Sequence, residues 1–216
     1  MMSEAESPAG LRLNELLKEA ELAPLDATQA ERFGVYYSLF VRWNTRINLT
    51  SIREEEGILS RHFVESIACA RALPAGISTL LDFGSGGGFP GIPIALCRPE
   101  IAVTLAESQG KKAAFLQEAV RVLGLSARVH AQRAELLETQ FECVTLRAVD
   151  RMAEAVEAAG RLVAPRGWLA LLTTSRELTK LQAAAGAGIS WTRVERLPGG
   201  EERVFALGQR SVSSPV

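Results

Sequence analysis

Apolar residues recur at helical spacing through the first third of the chain. In the stretch LRLNELLKEAEL, the leucines at positions 11, 13, 16, 17 and 22 come close to a single stripe. The stretch ATQAERFGVYYSLFVRWNTRINL repeats its aromatic residues mostly at about three-to-four spacing. A third amphipathic segment runs from Ile58 to Leu73 and stops at Pro74. The pattern therefore predicts a helical N-terminal cap over residues 1–73.

From residue 74 onward, the apolar residues come in short continuous runs. These runs predict strands at TLLDF (79–83), IAVTLAE (101–107), ARVHA (127–131), FECVTL (141–146) and GWLALLT (167–173). Helix-like stretches, KKAAFLQEAVRVLG and RMAEAVEAAGRLVA, separate some of the strands, and ISWTRVERLP with EERVFALG predicts a final antiparallel hairpin. Alternating helices and near-continuous apolar strands are typical of a parallel sheet covered on both faces. We predict a doubly wound α/β domain over residues 74–216.

Composition narrows the class of protein without naming a function. With 47% hydrophobic and 23% charged residues, the chain is globular and can build a sizeable core. Its net charge of −1 means that a nucleic acid would have to be met by a local patch. The three cysteines are scattered and lack CxxC spacing, which argues against a disulfide framework or a zinc knuckle. Such cysteine usage favours a reducing cytoplasm.

Signals for export, membrane insertion and metal binding are not found in the sequence. The start, MMSEAESPAG, lacks the basic and then apolar order of a signal peptide. No apolar run approaches the ~18 residues of a membrane span. The two histidines, His62 and His130, are too few and too far apart for a metal site. We expect neither a metal nor a membrane partner.

The stretch LLDFGSGGGFPGIP (80–93) ends a predicted strand in an acid and follows it with four glycines in five positions. Open α/β sheets bind ligands at the carboxyl ends of their strands, where this loop falls. Glycines allow positive φ and close approach of a ligand to the main chain. Pro90 or Pro93 suits the first turn of a following helix, where a missing N–H costs little. The loop predicts a ligand site, and a tight structural turn is the alternative.

The residues around this loop favour one class of ligand. A Walker loop would need Gly-Lys-Ser/Thr, and the spacing of Gly84, Gly86 and Gly88 differs from the G-x-G-x-x-G of dinucleotide enzymes. Glu107 closes the second strand about 20 residues on, where an acid can accept both ribose hydroxyls of an adenosine. Asp82 would repel a pyrophosphate but suits an ammonium and a sulfonium, which favours S-adenosylmethionine. Alternatively, Asp82 caps loop N–H groups and Glu107 is a solvated strand end.

Several separated motifs then resemble one known family. They are LLDFGSGGGFPGIPIAL, LAESQGKKAAFLQEAVRVLGL, QRAE (132–135) and VTLRAV (144–149), with INLTS and RHFVES upstream. In order, and from about Trp43 to Thr173, they resemble the RsmG (GidB) family of bacterial 16S rRNA guanine-N7 methyltransferases. The resemblance implies a Rossmann-like class I methyltransferase fold that binds S-adenosylmethionine. It also implies 16S rRNA as the partner, within the small ribosomal subunit or an assembly intermediate. Separately, we expect the chain to act as a monomer.

The loop chemistry and the resemblance together give a set of expected site residues. The cofactor-binding residues are Asp82, Gly84, Gly86, Gly88, Phe89, Glu107, Ser108, Gln109, Ala134, Glu135 and Arg147. Expected RNA contacts are Asn48, Thr50, His62, Lys111, Lys112 and Arg133. Basic residues can supply the phosphate contacts that dominate RNA affinity, although a solvated helix face explains such charges equally well. The same alternative stands for His62.

Two sites in the chain depart from the family pattern. Glu65 stands where the family usually has Asp, and Thr173-Thr174 stands where it commonly has Lys-Gly. The sequence after the fourth strand, Leu146-Arg147-Ala148-Val149, lacks the Asn/Asp-Pro-Pro-aromatic motif of amino-directed adenine enzymes. Cys143 lies mid-strand and is expected in the core, not as the thiolate of a cytosine-C5 enzyme.

Guanine N7 is an unprotonated lone pair, so its methylation needs no general base. We expect Arg147 to act by positioning a reactant, with Asp82 or Asp150 balancing its charge. Two other functions stay open on the sequence alone. One is a small-molecule methyltransferase, which would need a closed apolar pocket, and the other is a non-catalytic RNA-binding or assembly protein.

Overall fold

The computed structural model describes residues 7–212. Residues 1–6, on which part of the expectation of no signal peptide rests, lie outside the described residues, as do residues 213–216. One seven-stranded sheet has the order β3-β2-β1-β4-β5-β7-β6. Its strands are β1 (Thr79–Phe83), β2 (Ala102–Ala106), β3 (Arg128–His130), β4 (Phe141–Arg147), β5 (Val163–Thr174), β6 (Ile189–Arg196) and β7 (Arg203–Arg210).

Eight α-helices accompany the sheet within residues 7–212. They are α1 (Pro8–Glu19), α2 (Ala27–Ile47), α3 (Glu55–Ile58), α4 (Glu65–Ala72), α5 (Gly91–Cys97), α6 (Gly110–Val122), α7 (Met152–Leu162) and α8 (Ser175–Ala184). A π-helical segment (Leu59–Val64) joins α3 to α4, and a short 3₁₀ turn covers Ala134–Leu136. The third predicted helix, from Ile58 to Leu73, thus corresponds to the π-helical segment and α4, and it includes only the last residue of α3. The sequence pattern did not predict α8.

The sheet is parallel where the predicted strands alternate with helices. Strand β1 pairs in parallel with β2 and β4, β2 with β3, and β4 with β5. The last two strands form the expected hairpin, because β7 pairs antiparallel with both β5 and β6. The predicted α/β fold, mostly parallel with a final antiparallel hairpin, is confirmed. Strand β5 begins four residues earlier than predicted, at Val163.

Each face of the sheet covers a separate core. Leu80 of β1 points into a cluster that includes α1, α2, α4, α5 and α6, and its neighbour Leu81 points into a cluster with α7 and α8. This alternation follows from the pleat, which sends successive side chains to opposite faces. Helices α1 and α2 therefore bury their apolar stripes in a core that they share with the sheet. The expected boundary after residue 73 falls in the connection between α4 and β1.

An aromatic cluster joins the N-terminal helices to the glycine loop. Tyr36 packs against Phe40, Phe63 and Phe89, with ring centroids 5.1 to 6.4 Å apart. Its hydroxyl is buried and donates a 2.6 Å hydrogen bond to the carbonyl oxygen of Gly87. Since a buried carbonyl needs a partner, Tyr36 fixes the middle of the loop from behind.

We expect Tyr36→Phe to lower the free energy of unfolding by about 1–3 kcal/mol, because it leaves the buried Gly87 carbonyl without a donor. Urea denaturation of the two proteins measures this difference. Tyr37→Phe is the matched control, since the Tyr37 hydroxyl has no hydrogen-bond partner within residues 7–212. An equal effect of the two substitutions would contradict this role of the hydroxyl.

Candidate functional site

A cavity opens where three parallel strands end. Strands β1, β2 and β4 finish at Phe83, Ala106 and Arg147, and all three residues line the cavity. Its volume is about 450 Å³, within the usual range for small-molecule sites. Helices α2 and α4 with the π-helical segment lie on one side of the sheet at this edge, and α7 lies on the other. The position is the one that open α/β sheets use for ligands.

The glycine loop turns its main chain toward this cavity. Gly84 and Gly86 have φ of +70° and +55°, a region that L side chains rarely adopt. A Cβ added at Gly86 would meet no atom closer than 3.9 Å, so the space beside its main chain is open cavity. Gly88 faces the other way, because a Cβ there would lie 2.5 Å from Ile92 and 2.8 Å from the Tyr36 hydroxyl. Of the predicted loop glycines, Gly84 and Gly86 line the cavity and Gly88 backs onto the core.

Glu107 holds the loop from the second strand. Its carboxylate accepts the Gly86 N–H at 2.9 Å through Oε2 and the Gln109 N–H at 2.7 Å through Oε1. The side chain is buried but lines the cavity, so it is not a solvated strand end. Each carboxylate oxygen has a second lone pair for a ligand hydroxyl. The arrangement places a fixed acceptor beside the open space at Gly86.

Asp82 does not line the cavity, which differs from the expected cofactor contact. It is 1% exposed, and its two oxygens accept from the Gly91 N–H at 3.1 Å and the Thr145 hydroxyl at 3.0 Å. Burial raises the pKa of this carboxyl to about 6, against the lowering effect of hydrogen bonds from Thr145, Ser85 and Gly91. The carboxylate therefore braces the start of α5, as the alternative interpretation of a capping acid proposed.

The other expected cofactor residues lie along the cavity wall. Phe89, Ser108, Gln109, Ala134 and Glu135 all line it, with Ala134 buried and Glu135 exposed.

A strained loop after β4 completes the wall. Ala148 and Arg151 have positive φ of 49° and 50°, which is uncommon outside glycine. Val149, which lies between them in sequence, lines the cavity. It packs so closely on Gly84 that a Cβ added at Gly84 would lie 2.9 Å from the Val149 side chain. Strained backbone of this kind clusters at functional sites. No sequence signal pointed to Val149.

Arg147 lies at the cavity in a nearly buried network. Its Nη2 lies 3.2 Å from the Glu65 carboxylate, donates to the Arg61 carbonyl oxygen and lies 3.1 Å from His62 Nδ1. Glu65 is fully buried, so the acid that balances Arg147 is Glu65 and not the expected Asp82 or Asp150. The Asp82 carboxylate already accepts hydrogen bonds from Gly91 and Thr145, and Asp150 forms no ion pair within residues 7–212.

His62 is part of the same network, so the interpretation of a solvated helix face is wrong. Its ring stacks on Phe89 at 5.1 Å and 22°, and its Nε2 lies 2.8 Å from the Thr50 hydroxyl. Because Arg147 can only donate, Nδ1 accepts and Nε2 carries the proton that is donated to Thr50. Burial, with the charges of Arg147, Arg61 and Arg203, lowers the pKa of His62 to about 3. The imidazole is therefore neutral at physiological pH.

The expected RNA-contacting residues divide into two groups. His62, Lys112 and Arg133 line the cavity. Asn48 and Thr50 do not line it. Asn48 caps the end of α2 in a left-handed conformation, and its side-chain oxygen accepts a hydrogen bond from Arg53. The Thr50 hydroxyl is hydrogen-bonded to His62. Lys111 is exposed on α6 outside the cavity wall.

Two further residues show where the structure agrees with the sequence-based expectations and where it adds to them. Cys143 is fully buried in the core, as expected. Arg203, at the start of β7, lines the cavity and pairs with Glu65 at 3.2 Å. No sequence pattern indicated Arg203, since 138 positions separate it from its partner. Within residues 7–212, no three His, Cys, Asp or Glu side chains are grouped as a metal ion would require, and no helix is long and apolar enough to cross a membrane.

The residues at the cavity fit S-adenosylmethionine. The open space at Gly86 admits a ligand against the main chain, and Glu107 supplies acceptors suited to ribose hydroxyls. Ala134 and Val149 offer apolar surface for a purine ring. Ser108 and Gln109 lie beside Glu107 on the same wall.

We expect Glu107→Ala to weaken S-adenosylmethionine binding at least about tenfold, since each charge-assisted hydrogen bond contributes ~1.5–3 kcal/mol. A bulky residue at Gly86, such as Gly86→Val, should fill the space that the cofactor needs. Isothermal titration calorimetry measures both, with Glu154→Ala as the control for an exposed acid that lines the same cavity. Unchanged affinity in both variants would contradict the assignment, and tight NAD binding would favour a dehydrogenase.

Comparison with known proteins agrees with this geometry. Residues 29–197 match the family model of rRNA small subunit methyltransferase G. A ribosomal RNA small subunit methyltransferase G from Roseiflexus sp. (strain RS-1) is 40% identical over 197 residues, covering 85% of this chain and 84% of the relative. The protein of the same name from Xanthomonas euvesicatoria pv. vesicatoria (strain 85-10) is 43% identical over 148 residues, covering 67% and 69%.

Solved structures show the same fold at lower identity. A methyltransferase from Pyrococcus furiosus has a TM-score of 0.60 at 13% identity, covering 82% of this chain and 98% of that one. A Thermus thermophilus 16S rRNA N2 methyltransferase, solved with AdoMet and guanosine, has a TM-score of 0.54 at 16% identity, covering 71% and 40%. The cofactor of this chain is S-adenosylmethionine. The chain belongs to the rRNA small subunit methyltransferase G family of S-adenosylmethionine-dependent rRNA methyltransferases.

Proposed function

We propose that this enzyme methylates N7 of one guanine in 16S rRNA, giving 7-methylguanosine by direct in-line transfer without a general base. The observation that carries the proposal is the state of His62, whose two ring nitrogens are already engaged by Arg147 and Thr50. A neutral histidine with a pKa near 3 is a poor proton acceptor. Guanine N7 offers a free lone pair and sheds no proton when it is methylated, so it needs none.

The bound cofactor supplies an electrophilic methyl group on a sulfonium. The chain's contribution is to align the guanine with that methyl group, and alignment at near-attack distance can supply much of the rate. Arg147 suits this role, because Glu65, His62 and the Arg61 carbonyl oxygen hold its guanidinium in place. A guanidinium does not act as a base at neutral pH, but its rigid fork of donors can hold the guanine O6 or a phosphate.

Charge also constrains this site. During transfer, positive charge moves from the cofactor onto the purine, which a nearby cation would oppose. Glu65 lies 3.2 Å from Arg147 and offsets that cation within the protein. The arginine can therefore position a reactant with its charge partly balanced.

We infer that the RNA approaches over the rim formed by Lys112 and Arg133, with Lys111 beside it on α6. Cations at a cavity mouth supply phosphate contacts and bring a polyanion to the site. The substrate in this proposal is 16S rRNA in the small subunit or an assembly intermediate. The enzyme acts on it as a monomer in the cytoplasm.

Mapping the methylated base tests the function directly. The enzyme is incubated with labelled S-adenosylmethionine and, separately, with naked 16S rRNA, with small-subunit particles that lack the modification, and with a pool of metabolites. We expect label in 7-methylguanosine at one position of 16S rRNA. Label in a metabolite would favour a small-molecule methyltransferase, and RNA binding without transfer would favour a non-catalytic assembly protein.

We expect Arg147→Ala to slow single-turnover methyl transfer by ~2–3 orders of magnitude, because a misplaced reactant loses the near-attack geometry. Rapid-quench measurement with saturating cofactor and RNA isolates this step. Arg151→Ala is the matched control, since Arg151 lines the same cavity but is exposed and paired with Glu154 at 2.9 Å. Equal losses in the two variants would show a general effect of charge and not a positioning role.

We expect the single-turnover rate of methyl transfer to be nearly independent of pH from about pH 7 to 9. In this range neither His62 nor Asp82, with pKa values near 3 and 6, changes its protonation. Folding lowers the pKa of His62, so the stability from its neutral form is complete above pH 6.5 and is lost as the pH falls toward 3. Folding raises the pKa of Asp82 to about 6, so the stability from its protonated form is complete below pH 3.8 and is lost as the pH rises through 6. A rise in rate with one pKa near 7, abolished by His62→Gln, would show that a general base is needed and would overturn the N7 assignment.

A further inference from the structure

Three arginines from separate elements converge on one buried carboxylate at the cavity edge. Arg61 comes from the π-helical segment, Arg147 from the end of β4 and Arg203 from the start of β7. The Arg147 and Arg203 Nη2 atoms each lie 3.2 Å from Glu65 Oε2, and Arg61 Nε lies 3.3 Å from Oε1. All three arginines line the cavity, while Glu65 is fully buried behind them.

The cluster carries more positive than negative charge. Three guanidinium groups face one carboxylate, and within residues 7–212 no other acid forms an ion pair with any of them. Arg61 Nε and Arg203 Nε are buried without a hydrogen-bond partner in the same range. The Arg61–Glu65 contact is thus close enough for an ion pair but is not aligned as a hydrogen bond.

The surplus charge also affects the central arginine. Burial lowers the pKa of Arg147 to about 10, with a further lowering by Arg203 and Arg61 that Glu65 opposes. Buried charges are ordinarily paired, and buried donors are ordinarily bonded. The cluster meets neither condition by itself. An anion in the cavity would add negative charge beside the three guanidinium groups, whereas the two buried Nε atoms themselves stay out of its reach.

We propose that Arg61, Arg147 and Arg203 form an anion subsite that binds one backbone phosphate next to the target guanine. The proposal rests on the proposed rRNA methylation and adds the group that fixes the RNA at the cavity. Guanidinium forks match phosphate oxygens in pairs, and a phosphodiester brings one negative charge with no attached cation. The amino-acid end of S-adenosylmethionine, the other source of an anion, carries an ammonium beside its carboxylate and so matches the surplus less well.

Arg61→Gln and Arg203→Gln test the subsite, because in each variant Glu65 keeps two arginine partners and the fold is expected to persist. Binding of small-subunit particles that lack the modification is measured across a salt series. We expect each variant to bind about tenfold more weakly and to lose ~0.7–0.9 from the slope of log K against log salt. Arg61→Lys should keep the salt slope while losing part of the affinity, since the charge stays and the fork is lost.

Arg161→Gln is the matched control, since Arg161 is an exposed arginine paired with Glu157 and lies outside this cavity. It should change neither affinity nor slope. Calorimetry with S-adenosylmethionine separates the two sources of anion, and cofactor affinity should stay within about twofold of wild type in both cavity variants.

Weaker cofactor binding with unchanged particle binding would assign the cluster to the cofactor carboxylate and overturn the proposal. No change in either measurement would show that the cluster is purely structural and would overturn it as well. These binding measurements need no methyl transfer. If wild type transfers no methyl group, the proposed function fails while the phosphate subsite is still decided by the salt series.

Discussion

The carboxylate of Glu65 is the contact on which the arrangement of the site depends. It lies at the first residue of α4 and pairs with arginines from the preceding π-helical segment, from the end of β4 and from the start of β7. Removing one partner of a buried ion pair typically costs ~3–5 kcal/mol, because it leaves an uncompensated charge. Glu65 therefore links the N-terminal helices, the centre of the sheet and its final hairpin at one point.

The glycine loop is held from three directions, which makes its main chain a fixed surface. Glu107 binds it from β2, Asp82 braces the helix that follows it, and Tyr36 donates to it from α2. Ordering a loop with four glycines costs much conformational entropy. Interactions from the surrounding elements offset that loss, so the loop can lie open on its cavity side. The same feature that admits a ligand is thus stabilised from behind.

The fold was predictable because its signals are local. Continuous apolar runs marked β1, β2 and β4 within about two residues at each end, in keeping with the usual uncertainty of element boundaries. Helix α8 was not predicted because it is short and mostly polar, and Leu181 is its one buried side chain within Ser175–Ala184. The cavity glycines and Glu107 were predicted from spacing alone. Neither the pairing of Glu65 with Arg147 nor the role of Arg203 could be predicted, because both depend on contacts between residues far apart in sequence.

Thr173 and Thr174, at the end of β5, lie beside the arginine cluster. In the antiparallel register, Thr174 pairs with Arg203 and Thr173 with Val204. The Thr174 hydroxyl accepts the Glu177 N–H at 3.3 Å and so caps α8, a bond that glycine could not make. A lysine in this pair would place a further cation one strand from the surplus charge. Here that position is neutral, and Arg61, Arg147 and Arg203 supply the positive charge of the cluster.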